Sequence, residues 1–147
     1  MNEISFDSLD VNFHWNNEQL LFDWLLSIAT QEQQQLISLS YVFCSDQHLL
    51  EMNKTHLDHD YFTDIITFDL SDDDSIEGEI FISIDRVREN ATTYQTSFEE
   101  ELCRVMCHGL LHLIGYDDHN EADIQEMRAK ETFCLSLLRE VPRGTFQ

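Results

Sequence analysis

His108-Gly109-Leu110-Leu111-His112-Leu113-Ile114-Gly115-Tyr116-Asp117-Asp118-His119 holds three of the seven histidines in the chain. The first two stand four residues apart in an apolar run that reads as the end of a helix. Side chains at i and i+4 share one helix face, so two imidazoles there can grip one cation. Gly115 suits the left-handed position that stops a helix. The chain then turns, and Asp117, Asp118 and His119 follow at once. The spacing predicts a metal site of His108, His112 and His119 at the end of a central helix. The bland alternative is an amphipathic helix with two hydrogen-bonded histidines and an acidic loop.

Imidazole ligands favour zinc, nickel, copper or iron over magnesium or calcium. Three protein ligands and one open position are how catalytic zinc is held, whereas structural zinc is closed by four. A water in the open position ionises near neutral pH. Neighbouring carboxylates can orient the imidazoles or take a proton. This is not the H-E-x-x-H protease motif, because Gly109 stands where that motif has its glutamate. A helical Gly costs about 1 kcal/mol relative to Ala, so Gly109 implies a close packing contact. Cys103 and Cys107 are also four apart, but their direction lies about 100° from the histidine pair, and they read as buried thiols. Arg104, one turn before His108, faces either an anionic substrate or Glu101.

Working outward, the central helix is expected over residues 98–114. Ser97 and Glu100 make a capping box before it, and Glu99, Glu100 and Glu101 complement its positive end. Strands are expected at 4–6, 11–13, 36–43, 64–70 and 79–84. Further helices are expected at 17–30, 46–54 (with Ser45 as N-cap), 85–93 and 122–140. Met127, Phe133, Cys134, Leu137 and Leu138 are the packing positions of the last helix. This order suggests an α+β fold, a small mixed sheet packed with about five helices. The Ser71-Asp72-Asp73-Asp74-Ser75 run reads as a solvated turn between strands.

At 147 residues, 42% of them hydrophobic, the chain is expected to form one domain, 1–147. No stretch approaches the roughly 20 apolar residues of a membrane span, and residues 1–10 carry no positive charge of a secretion signal. Four cysteines without a CxxC pair read as reduced thiols in the cytoplasm. The net charge is −21, with no Lys or Arg before Lys54. A free polyanion is repelled by such a surface. Any nucleic-acid role must therefore rest on a local patch, a metal or a partner that delivers the substrate.

The histidine stretch resembles the signature of the bacterial YbeY endoribonucleases. Two further blocks agree: Met52-Asn53 with Thr63-Asp64-Ile65-Ile66-Thr67-Phe68, and Gly78-Glu79-Ile80-Phe81-Ile82-Ser83. The helix with Glu126, Met127 and Glu131 fits the family's last helix. The resemblance implies a metal-dependent α+β hydrolase holding one zinc ion through His108, His112 and His119. It also implies cleavage of single-stranded rRNA precursors in 16S rRNA 3′-end maturation and ribosome quality control. Small-subunit ribosomal proteins are possible partners, and neither DNA nor a membrane is expected.

Two departures from the family pattern matter. The family spaces its histidines H-x3-H-x5-H, and here an extra Asp puts Asp118 at the third place. Either the loop bulges and His119 binds, or Asp118 binds and His119 stands behind it; imidazole being the better zinc ligand, His119 is preferred. A family arginine is also replaced by Leu57, with His56 beside it; Arg104, Arg86 and Arg88 are the substitutes to consider. The catalytic base is not identified. Two other functional classes stay open: a different zinc hydrolase (a peptidase or amidase), and a non-catalytic ribosome-associated metal-binding module, which the acidic surface would suit.

Overall fold

Short runs of alternating apolar residues build the sheet. The computed structural model describes residues 3–57 and 62–140. Its strands are β1 (Glu3–Ser8), β2 (Leu36–Cys44), β3 (Ile65–Asp69) and β4 (Ile76–Ser83), and its helices are α1 (Glu18–Gln31), α2 (Asp46–Leu57), α3 (Ile84–Tyr94), α4 (Phe98–Ile114) and α5 (Glu121–Glu140). The strands lie in the order β1-β2-β4-β3. β1 and β4 run parallel to β2, and β3 runs antiparallel to β4. This is the expected α+β fold with a mixed sheet.

The two faces of β3 and β4 carry different residues because side chains alternate along a strand. Ile80 and Ile82 join the main core with Leu39, Tyr41 and Phe43 of β2 and the inner face of α4. Ile66, Phe68 and Phe81 point the other way and pack with Leu49 and Met52 of α2. Two buried hydrogen bonds tie the helices down: Tyr41 Oη donates to the Met106 carbonyl (2.9 Å) and Trp24 Nε1 to the Cys134 carbonyl (2.7 Å). At Gly109 α4 packs tightly on the sheet. A Cβ there would stand 2.9 Å from Cδ1 of both Ile65 and Ile80, which is the close packing its presence implied.

Some expectations need correction. Residues 11–13 form no strand; Phe13 instead sets its ring edge-on to Phe43 and Phe98, so its apolar character serves packing. β4 begins at Ile76, paired with Leu36, three residues before the expected start. Ile84 opens α3 rather than ending the strand, because the Ser83 hydroxyl accepts the Arg86 amide and caps the helix. Only half of the capping box forms: Ser97 Oγ accepts from the Glu100 amide, but the Glu100 carboxylate turns to the Thr96 hydroxyl. Phe133 is exposed rather than packed. The cap by Ser45 is present, its hydroxyl accepting from the His48 amide. The 71–75 run is a turn held by Asp69 and Asp73, which accept from Ser71 and Ser75. Residues 58–61 and the side chain of Leu57 lie outside the described residues.

Candidate metal centre

The last two turns of α4 bring His108 and His112 together, with Nε2 atoms 3.0 Å apart. Gly115, at φ 125°, ends the helix, and the Gly115 and Tyr116 amides return to the carbonyls of Leu111 and His112. The following loop is fixed at both ends. Tyr116 Oη donates to Glu32, just past the end of α1 (2.7 Å), and Lys130 of α5 reaches the same carboxylate (2.9 Å). Asn120 then caps α5 by accepting from the Asp123 amide. Between these anchors Asp118 hangs over the histidine pair, its Oδ2 3.5 Å from His108 Nε2 and 3.6 Å from His112 Nε2.

Three donor atoms spaced 3.0, 3.5 and 3.6 Å make a nearly equilateral triangle. A tetrahedral ion with bonds of about 2.0–2.1 Å separates its ligand atoms by about 3.3 Å. The triangle therefore fits a zinc-sized cation and leaves a fourth direction open. His119 is exposed and is not a member of this group, so the residues brought together are His108, His112 and Asp118.

The orientation of His108 is set from behind. Its Nδ1 lies 2.6 Å from Oε2 of Glu131, a buried carboxylate on α5 whose other oxygen accepts from Arg104 (3.2 Å). When Nδ1–H donates to Glu131, Nε2 of the neutral ring keeps its lone pair for a cation. Burial alone would push the His108 imidazole down, but the hydrogen bond and charge of Glu131, with Asp118 and Asp64, outweigh it and hold the group above its ordinary value. Arg104 thus pairs with Glu131 across to α5. Of the other substitutes considered for the missing arginine, Arg86 is bound to Asp46 (2.7 Å) and Arg88 lies over the Phe98 ring.

Two residues at the centre are not read as site residues from the sequence, although both stand in blocks that carry the resemblance. Glu131 is 23 positions from His108. Asp64, just before β3, lines the cavities on both sides of the metal centre together with His108 and Asp118. Burial pushes its carboxyl above the usual carboxylate value, against the opposing pull of His108. One cavity, about 820 Å³, lies between α3, α4 and α5; the other, about 510 Å³, lies between β3, Asn53 of α2 and the end of α4. Cys44, Cys103, Cys107 and Cys134 are all buried free thiols and stand apart from the donor group.

A mixed sheet under a helix that ends in a His/His/Asp triangle, open to cavities on either side, defines an α+β protein with a group that could hold a metal ion. The family model described as Endoribonuclease YbeY matches residues 3–139, and the chain belongs to that family. It is 48% identical over 135 residues to an Endoribonuclease YbeY of Cytophaga hutchinsonii, covering 91% of this chain and 94% of the relative. It is 46% identical over 134 residues to one of Flavobacterium psychrophilum, covering 91% and 95%. A solution structure of a Thermotoga maritima protein matches with a TM-score of 0.65 and 28% identity, over 92% of this chain and 88% of that one. Among the described residues no helix is long and apolar enough to cross a membrane.

Proposed function

We propose that the protein, as one domain over 1–147, is a zinc-dependent endoribonuclease that cuts single-stranded rRNA precursors in the cytoplasm during 16S 3′-end maturation and ribosome quality control. The observation that carries this reading is the triangle of His108, His112 and Asp118 on the ridge between two cavities. A strand laid along such a cleft presents one phosphodiester to the ridge and its neighbours to either side. The relatives' name, Endoribonuclease YbeY, supports RNA as the substrate. Gly109, packed on Ile65 and Ile80, supplies no carboxylate where a protease of the H-E-x-x-H type needs one, which disfavours a peptidase.

In this reading His108 and His112 hold the ion, and Asp118 is the third ligand. His119 takes that place only if the loop shifts by one residue. Bound zinc would supply Lewis-acid stabilisation of charge at the phosphate. Glu131 fixes the His108 tautomer, and Arg104 holds the other Glu131 oxygen in place. The net charge of −21 suits docking to basic proteins of the small subunit, which would bring the rRNA to the site.

Metal content of purified variants tests the ligand set. Asp118→Ala should bind less than one zinc under conditions that saturate the unsubstituted protein, and His119→Ala should bind one. The reverse order would transfer the third position to His119. Retained folding with lost rRNA cleavage in His108→Ala supports catalysis, whereas loss of the fold itself points to a structural metal.

A further inference from the structure

The larger cavity carries features that the metal centre does not use. Tyr94, the last residue of α3, stands on its rim with 65% of its surface exposed. Across from it, Ile124, Arg128 and Thr132 line the same cavity from α5, in one row because four residues advance a helix by about one turn. Arg86, Arg104, Lys130 and Arg139 each lie within 3.6 Å of a carboxylate. Arg128 is exposed and forms no ion pair among the described residues. In a chain of net charge −21, a free guanidinium beside a metal centre is a local exception to the repulsive field.

The cavity also contains carboxylates, which would oppose a phosphate if they were free. Asp118 belongs to the donor triangle, and two others have partners. Glu131 is held by His108 and Arg104, and Glu100 accepts from Thr96 with Arg139 at 3.6 Å. Glu101 is buried, and burial pushes the carboxyls of both Glu101 and Asp64 up. The rim therefore offers one aromatic face and one uncommitted cation.

We infer that this cavity is the subsite for the nucleotide next to the scissile phosphate, with its base stacked on Tyr94 and its phosphate held by Arg128. The inference rests on the endoribonuclease reading and assigns the side of the ridge on which the strand is gripped. Stacking on a ring accepts any base, because every base has a π face. The subsite therefore selects single strands, whose bases are free to unstack, without selecting a sequence. Arg128 would supply here the cationic contact that Leu57 cannot.

The test uses zinc-loaded protein, a single-stranded rRNA-precursor oligonucleotide, and Phe133→Ala as a control that removes an exposed aromatic outside the cavity. Tyr94→Ala should raise KM about tenfold, with a much smaller fall in kcat, and Tyr94→Phe should restore KM. Arg128→Ala should weaken binding and lower the slope of log KM against log salt by about 0.7, the share of one single-strand phosphate. Circular dichroism melting confirms that the variants fold. If the unsubstituted protein cuts RNA while Tyr94→Ala and Arg128→Ala match Phe133→Ala, the subsite is refuted and the endoribonuclease reading stands. Failure of Tyr94→Phe to restore KM refutes stacking. If the unsubstituted protein cuts no RNA, the underlying reading falls and the subsite with it.

Discussion

His108 Nδ1 and Glu131 Oε2 lie 2.6 Å apart, joining the helix that carries the histidine pair to the helix that follows the acidic loop. This contact turns two helix-borne imidazoles into an organised donor set, because it fixes which ring nitrogen faces the cation. Removing the charge of the acceptor should weaken metal binding without removing a ligand. Glu131→Gln should lower zinc affinity by about tenfold to a hundredfold, read by competition with a chromophoric chelator. Affinity equal to that of the unsubstituted protein would remove Glu131 from the site.

The same contact fixes a pH dependence. Burial lowers the His108 imidazole, but Glu131, Asp118 and Asp64 raise it further, and the net shift is upward. Protonated His108 therefore stabilises the metal-free fold fully below the unfolded value, about 6.5, and that contribution is lost as pH rises through the folded value. Zinc requires the neutral ring, so its stabilisation grows over the same interval. Measured against His108→Gln in each state, the stability due to His108 should fall with rising pH without zinc and rise with zinc. Parallel slopes would contradict the account.

Two glycines make a graded stability prediction. A Cβ on Gly109 would meet the ends of Ile65 and Ile80, which can partly yield, and Ala recovers about 1 kcal/mol of helix propensity. A Cβ on Gly78 would meet the Phe68 backbone carbonyl at 2.7 Å and Leu113 at 2.8 Å. Overpacking costs about 1–3 kcal/mol, so Gly78→Ala should lie at the upper end and Gly109→Ala near about 1 kcal/mol. Denaturant melts would show an inverted order if α4 did not rest on the sheet as described.

The thiols should be silent in the native protein. Burial, then Asp10, Asp85 and Asp46, pushes Cys44 up to about 12, and burial raises Cys107 as well. A chromogenic disulfide reagent should titrate none of the four at neutral pH and all four in denaturant. Rapid native reaction of even one would show an exposed thiolate.

Local periodicity made much of this structure legible. The i, i+4 histidines, Gly115 as helix stop, the Ser97 cap and the alternation of Ile80 and Ile82 each depend on neighbours within one or two turns, and each is present. What escaped depends on distance in the chain. Glu131 reaches His108 from another helix, and Phe13 packs on Phe43 and Phe98 rather than extending a strand. Between the adjacent Asp118 and His119, ligand chemistry favours His119, and the loop, set by Tyr116 on Glu32 and Asn120 on α5, turns the Asp118 carboxylate toward the pair.

The most direct test of the central claim is cleavage of a single-stranded 16S 3′-precursor by protein stripped with a chelator and titrated with zinc. The account predicts no cleavage by the stripped protein and full recovery at one equivalent of zinc, with Asp118→Ala failing to recover at that equivalent. Cleavage by the stripped protein at the same rate, or none at any zinc level, would contradict it.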